Sequence, residues 1–527
     1  MFIKLFIGRI GDIGSIGLLN NMLAKIFSGT VIGLDGILIE VEVDVATAGF
    51  PGFTIVGLPD KAVGEAKERV RAAINNAGLK IPDTRITVNL APADIPKVGS
   101  AFDLPMAIGI LTAGEMINNI YFEDSLFIGE LSLKGDVRRV PGAISIALLA
   151  KSKKIKKVFV SKENLEEVIL VDGIEVFSVG TLTDLILHLN EVKLILPTPH
   201  KDFVSLIKEE KYDNLFEDIK GQETAKRALE IAAAGFHNII LKGPPGTGKT
   251  LLSRAFPSIL PPMEKEEILE VTKIYSVAGL LYNQNFIASR PFRSPHHTTS
   301  RIGLVGGGSN PTPGEISLAH RGVLFLDEIP EFPRTTLESL RQPLEDGFIT
   351  ISRASGTLIF PSRFLLLAAS NPCPCGYLGH EKKPCHCLPG TILKYQKRLS
   401  GPLLDRIDLH IDVPSVTEEK LTSNILSESS QKVRERVVKA REIQKKRFKG
   451  LKIFTNGEMS SAQIKKFCQL TPEAVNLLKQ AIAKLSLSAR SYFKTIKISQ
   501  TIADLNGKEK IEIEYVAEAL QFRSHDE

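Results

Sequence analysis

Long apolar runs are missing from this 527-residue chain. None approaches the roughly 18 residues needed to cross a bilayer, so no membrane span is expected. The opening segment, Met1 to Asn21, is apolar in places but is broken by Lys4, Arg9 and Asp12, which makes it a poor secretory signal. Cysteine is scarce. Of the five, four are clustered and Cys468 stands alone, a distribution that argues against a disulfide framework and for metal ligation in a reducing compartment. A cytoplasmic location is the expectation. Charge of one sign is also lacking: 66 basic against 60 acidic residues give +6, which permits a polyanionic partner without demanding one. No internal repeat is present, and the chain is too long for a single core.

What is present divides the chain. Residues 22–196 alternate strand-like runs (Gly33 to Asp44, Arg85 to Leu90, Lys157 to Val160) with helical stretches such as Asp60 to Ala77, the pattern of an α/β domain. Prolines 197 and 199 and the charged Lys208–Lys211 mark a linker over 197–212. A second α/β unit occupies 213–425, and 426–527 reads as helical, with a break at Asn506-Gly507. Within it, 431–452 is crowded with lysine and arginine against only Glu435 and Glu442. That bias is consistent with either a solvated helix face or contact with nucleic acid.

Two motifs carry chemistry. Gly243, Pro244, Pro245, Gly246, Thr247, Gly248, Lys249, Thr250 and Leu251 follow the apolar run Ile239 to Leu241. A glycine-rich turn between a strand and a helix aims backbone N–H groups at phosphates, places the lysine on the β/γ oxygens and the threonine hydroxyl on Mg²⁺. About eighty residues on, Val323 to Leu326 reads as a buried strand ending in Asp327 and Glu328. Asp327 is placed for the Mg²⁺ shell and Glu328 to polarise the attacking water. The chain is therefore expected to bind and hydrolyse a nucleoside triphosphate. Asp218-Ile-Lys-Gly221-Gln222 precedes the loop, where such enzymes cradle the adenine. Asn371 ends another apolar run, where an amide can orient the lytic water. Arg406 follows, where a guanidinium can reach a neighbouring subunit's γ-phosphate, and Arg490 offers a second cation, expected to sense the nucleotide of its own subunit.

Pro291-Phe-Arg-Ser-Pro-His296-His297-Thr, Gly306 to Gly308, Pro313 to His320 and the Asp327-Glu328-Ile-Pro-Glu331-Phe extension resemble the Mg-chelatase-like AAA+ ATPases of the ComM/YifB family. The likeness runs from Met22 to Arg523. It implies an AAA+ core with an inserted helical hairpin before the Walker B strand, a helical C-terminal lid, Asn371 as sensor 1, Arg406 as arginine finger and Arg490 as sensor 2. It also implies a homo-hexamer that acts on branched or single-stranded DNA in recombination or natural transformation, as a branch-migration or helicase-type motor. Family members begin near Met22, so residues 1–21 are expected to be a non-native extension. Lys494, Lys497 and Ser499-Gln500 stand where the family carries arginines and an Ala-Arg pair, and lysine lacks the planar fork of arginine.

The N-terminal part, from Pro96 to Ala101 and from Gly129 to Gly135, is similar to the proteolytic domain of Lon, which uses a Ser–Lys dyad. Ser100 falls near the nucleophile, but Ser145 occupies the lysine's place, with Lys97 and Lys134 as alternative bases. A scaffold and DNA-binding role, like that of the Lon-like domain in RadA-type recombination ATPases, is expected instead of proteolysis. Cys373, Cys375, Cys385 and Cys387 form two Cys-x-Cys pairs that can close a tetrahedral Zn²⁺ shell, with His380 or His386 as substitutes for one sulfur. His296 and His297 have no carboxylate at helical spacing and are expected to shape the inserted hairpin. Two rival functions remain: a magnesium chelatase motor, which shares the central module, and an ATP-dependent protease or protein remodeller, which needs a working dyad at Ser100.

Overall fold

The computed structural model describes residues 23–117, 122–199, 212–281, 284–308, 311–353, 356–380, 383–416, 427–485 and 487–523. The expected extension 1–21 and nearly all of the inner linker, 200–211, lie outside these residues. The chain forms two compact units, Met1–His200 and Lys201–Glu527.

In the first unit, β1 (Leu23–Ile32) turns into β2 (Asp35–Val45), and β3 (Gly52–Val56), β4 (Arg85–Ala91) and β5 (Ser125–Phe127) follow. A ribbon of β6 (Glu130–Leu131) and β7 (Val137–Arg138) precedes β8 (Lys157–Ser161) and β9 (Glu175–Val179). Seven of these make one sheet in the order β3-β4-β2-β1-β5-β8-β9. Strands β1/β2 and β2/β4 pair antiparallel while the other neighbours are parallel. Alternation explains the inner face: Ile39, Val41, Val43 and Val45 of β2 point into the core. The helix Lys61–Asn76 starts where the Asp60 carboxylate accepts from the Val63 amide at 2.8 Å, and it buries Val63, Ala66, Val70, Ala73 and Ile74, the spacing of an amphipathic helix. Phe127, Phe159 and Phe177 stack with centroids 4.6 Å apart.

The second unit is built on a parallel sheet. Its strands are β10 (Ile239–Lys242), β11 (Phe292–Arg293), β14 (Val323–Leu326), β17 (Leu365–Ser370) and β18 (Leu409–Asp412), ordered β11-β14-β17-β10-β18. Parallel strands covered on both faces are uniformly apolar. Here Leu241, Phe325 and Leu367 feed one cluster, and Ile240, Leu324 and Leu366 feed the other. The first cluster continues without interruption into Val433, Val437, Leu478, Ile496, Ile502 and Val516 of the C-terminal helices, so the expected core and lid share one apolar interior. The break expected at Asn506-Gly507 falls between helices Ala489–Leu505 and Ile513–Gln521, with Gly507 at φ 67°; a second break, between the helix Pro472–Leu485 and Ala489, was not expected from the sequence.

Two features differ from expectation. The insert before β14 is a short helix, Arg301–Val305, a two-residue antiparallel pair of β12 (Gly306–Gly307) with β13 (Thr312–Pro313), and one further turn, Glu315–Leu318. Gly306, Gly307 and Gly308 take φ of 99°, 138° and 97°, which no right-handed helix accommodates. The second difference is an antiparallel hairpin of β15 (Phe348–Arg353) and β16 (Gly356–Pro361) between β14 and β17. It was not anticipated from the sequence.

Candidate nucleotide site

The phosphate loop leaves the end of β10 and enters the helix Lys249–Ala255. Its turn needs glycine: Gly246 and Gly248 have φ of 78° and 90°. Gly243 is required for another reason, since a Cβ there would lie 2.2 Å from the Val413 carbonyl oxygen. The Gly243 amide donates to the Ser370 carbonyl at 3.1 Å, so the loop is fixed to the adjacent strand ends. Lys249 is buried, and burial lowers its pKa against the opposing pull of Asp327 and then Glu328. Its ammonium donates to the carbonyls of Gly243 at 2.6 Å and Pro244 at 2.7 Å and to Asn371 Oδ1 at 3.2 Å.

Thr250 Oγ1 donates to Asp327 Oδ2 at 2.9 Å. A hydroxyl and a carboxylate so paired are a fitting donor set for Mg²⁺, a hard cation that takes oxygen ligands. Glu328, exposed, adopts a left-handed backbone (φ 48°, ψ 46°), a conformation that costs a non-glycine residue roughly 1–2 kcal/mol. Its amide donates to Asp327 Oδ1 at 3.0 Å. Gln222, also left-handed, donates through Nε2 to the carbonyls of Thr247 at 3.2 Å and Pro414 at 2.6 Å, which brings the Asp218–Gln222 segment onto the phosphate loop. Gly243, Pro244, Asn371, Leu378, Tyr395 and Val413 line a cavity of about 920 Å³.

Arg406 and Arg490 lie elsewhere, at a second cavity of about 780 Å³. Both guanidinia bond the same carboxylate: Arg406 Nη2 donates to Glu345 Oε2, and Arg490 Nη2 to Glu345 Oε1 at 3.1 Å. Arg406 also donates to the carbonyls of Arg341 at 3.1 Å and Pro402 at 2.6 Å. Among the described residues neither arginine hydrogen-bonds the phosphate loop, so Arg490 keeps company with Arg406 rather than with its own Lys249. The two lysines of the tail bond carbonyls as well, Lys494 that of Ile407 at 2.8 Å and Lys497 that of Gly457 at 2.9 Å. Nothing in the sequence singled out Glu345.

The four cysteines converge. All their sulfurs lie within 4.8 Å of one another, with Cys373–Cys375, Cys373–Cys385 and Cys375–Cys385 at 3.4, 3.7 and 3.6 Å. Thiolates bound tetrahedrally at Zn–S of about 2.3 Å would stand roughly 3.8 Å apart, so the set fits zinc without a histidine. The Tyr377 amide and the neighbouring thiols hold the Cys375 thiol below its ordinary range, and the same crowding raises Cys385 and Cys387. The loop is also a wall of the nucleotide site. Gly376, at φ 83°, sits so close to Pro245 that a Cβ would be 2.6 Å from its Cδ. The His296 and His297 rings lie 4.1 Å apart between centroids and tilted by 34°, and His297 meets the Phe332 ring edge-on.

Part of the basic stretch is tied to other side chains and carbonyls. In the helix Ser430–Arg447, Arg436 pairs with Glu230 and Glu428, Arg447 with Asp504, Lys445 with Glu264, and Arg441 donates to the Ala233 carbonyl. Lys432, Lys439, Lys446 and Lys449 remain exposed. In the N-terminal unit Ser100 Oγ donates to Glu130, the fully buried Lys97 donates to the Pro92 carbonyl, and Ser145 donates to the Leu34 carbonyl at 2.8 Å. Lys134 is exposed.

A parallel sheet ordered as above, with a phosphate loop at the end of β10 and a carboxylate pair at the end of β14, defines a P-loop nucleoside triphosphatase core. Family models agree. Residues 215–421 match the magnesium chelatase subunit ChlI model, 41–164 a further model described as subunit ChlI of Mg-chelatase, and 427–523 the ChlI C-terminal model. The chain is 44% identical over 511 residues to competence protein ComM of Haemophilus influenzae, covering 95% of this chain and 97% of that one. It is 42% identical over 506 residues to YifB of Escherichia coli, covering 96% and 97%. It therefore belongs to the Mg-chelatase-like ComM/YifB family of AAA+ proteins, and membership implies ATPase activity. Likeness to Lon is weak and partial: 30% identity over 185 residues of Lon protease 2 from Bacillus subtilis, 32% of each chain. No helix among the described residues is long and apolar enough to cross a membrane.

Proposed function

We propose that the chain is a ring-forming, Mg²⁺-dependent ATPase that binds and remodels DNA as a branch-migration or helicase-type motor. The observation that carries the ATPase half is the junction of Lys249 with Asn371 and of Thr250 with Asp327. The DNA half rests on 44% identity, over 95% of the chain, to a protein named for competence. ATP would lie along residues 243–251, with its phosphates on the loop amides and Lys249, and Mg²⁺ on Thr250 and Asp327. The metal neutralises charge on the phosphates when bound. Glu328 takes the proton of the attacking water, and Asn371 orients that water. Arg406 and Arg490, held side by side on Glu345, serve the nucleotide of the neighbouring subunit, a shared face that favours a closed homo-oligomer, taken as a hexamer. Cys373, Cys375, Cys385 and Cys387 hold a structural Zn²⁺ that stiffens the wall at Pro245.

A magnesium chelatase motor would share this central module, as the ChlI models indicate. Proteolysis is disfavoured by the environment of Ser100, whose hydroxyl donates to Glu130 while Ser145 is buried against Leu34. One assay separates the three functions: ATPase rate with branched DNA, single-stranded DNA, unfolded protein or porphyrin. Stimulation by DNA is expected; stimulation by unfolded protein with peptide release, or by porphyrin, and none by DNA, sinks the proposal.

A further inference from the structure

The short helix Arg341–Asp346 grips the arginine pair at two points. Its first residue offers a carbonyl to Arg406 Nε at 3.1 Å, and one turn later Glu345 bonds Arg406 and Arg490 with its two carboxylate oxygens. Two guanidinia brought to one carboxylate repel each other once that anion is removed. They would accept another anion in its place, and a γ-phosphate presents the oxygen fork that arginine fits. Glu345 is half exposed, and both arginines hold its pKa below the usual carboxylate range, Arg406 foremost. The grip is therefore ionised at neutral pH and within reach of a competing phosphate.

The same helix leads directly into the unanticipated hairpin. Gly347 ends it in a left-handed turn (φ 73°), and β15 starts at the next residue. There is little slack at this joint. The Ser362 amide donates to the Gly347 carbonyl at 2.8 Å, and a Cβ on Gly347 would lie 2.9 Å from Arg363 Cγ. Six paired registers stiffen the hairpin itself, and Ile359 on it is 59% exposed. A load on the hairpin therefore has a stiff route, one residue long, to the helix that carries Glu345.

We infer that Glu345 is a positioning residue that restrains Arg406 and Arg490 together, and that single-stranded DNA pressing on the β15–β16 hairpin loosens this restraint so that both arginines are delivered to the neighbouring subunit's nucleotide. The inference rests on the ring-ATPase reading and adds a restraint and its trigger. The test is the steady-state ATPase rate of full-length Glu345→Gln, with and without single-stranded oligothymidylate, beside wild type. The variant keeps the side-chain shape and removes the charge. The unstimulated rate is expected to rise about three- to tenfold, a usual size for coupling through one contact, and addition of the oligonucleotide to change it little further. Glu345→Asp, too short to bond both guanidinia, covers the case in which Gln perturbs folding; it is expected to raise the unstimulated rate by a smaller factor.

An unchanged unstimulated rate in both variants overturns the restraint, and so does a reduced rate at unchanged melting temperature. A raised rate with full stimulation retained overturns the hairpin as trigger. The underlying reading fails separately: if wild type gains nothing from oligothymidylate or from branched DNA while Glu345→Gln is activated, the DNA reading falls and the restraint stands.

Discussion

The Lys249 ammonium donates to Asn371 Oδ1 at 3.2 Å, across 122 positions of sequence. The same lysine is held by carbonyls of the loop on which phosphates would sit. Removing its charge with Lys249→Ala is expected to weaken ATP binding about ten- to a hundredfold, the range of a charged hydrogen-bond partner, measured by titration of a fluorescent nucleotide. Asn371→Ala should bind ATP at near wild-type affinity and hydrolyse it slowly.

Glu328 gives a complementary prediction. Glu328→Gln retains the backbone turn and loses the base, so it is expected to bind ATP normally and hydrolyse it about 10²- to 10⁴-fold more slowly. Single-turnover measurement with pre-bound ATP isolates that step. Rapid hydrolysis by this variant would assign the base to another residue.

The contact of Gly376 with Pro245 links the cysteine loop to the phosphate loop. Gly376→Val adds a side chain where a positive φ and a 2.6 Å approach both oppose it. Lower melting temperature and weaker ATP binding are expected together. Metal analysis should find one zinc per chain, and its removal by chelator or Cys385→Ser should reproduce the Gly376→Val phenotype with Asp327 and Lys249 intact.

His237 is fully buried against Thr501, 2.8 Å away, and burial pushes its pKa down to about 4, with Asp408 opposing. The unfolded chain binds a proton near pH 6.5 and the folded one near 4, so stability is full above 6.5 and falls as the pH drops through that window. For this residue alone the loss between pH 7 and pH 5 is about 2 kcal/mol. Urea unfolding at both pH values should show it, and His237→Gln should reduce the difference.

The parts legible in the sequence were those whose chemistry is local. A phosphate loop, an apolar strand ending in Asp327-Glu328 and two Cys-x-Cys pairs each carry their geometry within a few residues. The helix Lys61–Asn76 was likewise legible, as the helical stretch Asp60 to Ala77. Glu345 was not, because it joins residues 61 and 145 positions away on other elements, and no pattern around it records that meeting. The basic stretch 431–452 was legible only in part: its charge is visible in sequence, but the partners of Arg436, Arg441, Lys445 and Arg447 come from distant segments. The three glycines at 306–308 were noted as part of a resemblance, without the positive φ values that turn the insert into a ribbon.

The central claim is that each nucleotide site is completed by a neighbour's Arg406, and mixing two inactive variants tests it most directly. Arg406→Ala is expected to lose about 10³-fold in hydrolysis, and Lys249→Ala to be nearly inactive at an ATP concentration well below its weakened Kd, at which the mixture is assayed. Mixed in equal amounts under assembly conditions, they form interfaces at which an intact phosphate loop meets an intact Arg406. The account predicts that ATPase activity returns in the mixture. A mixture as inactive as its components, with co-assembly demonstrated by differential tags, would contradict it.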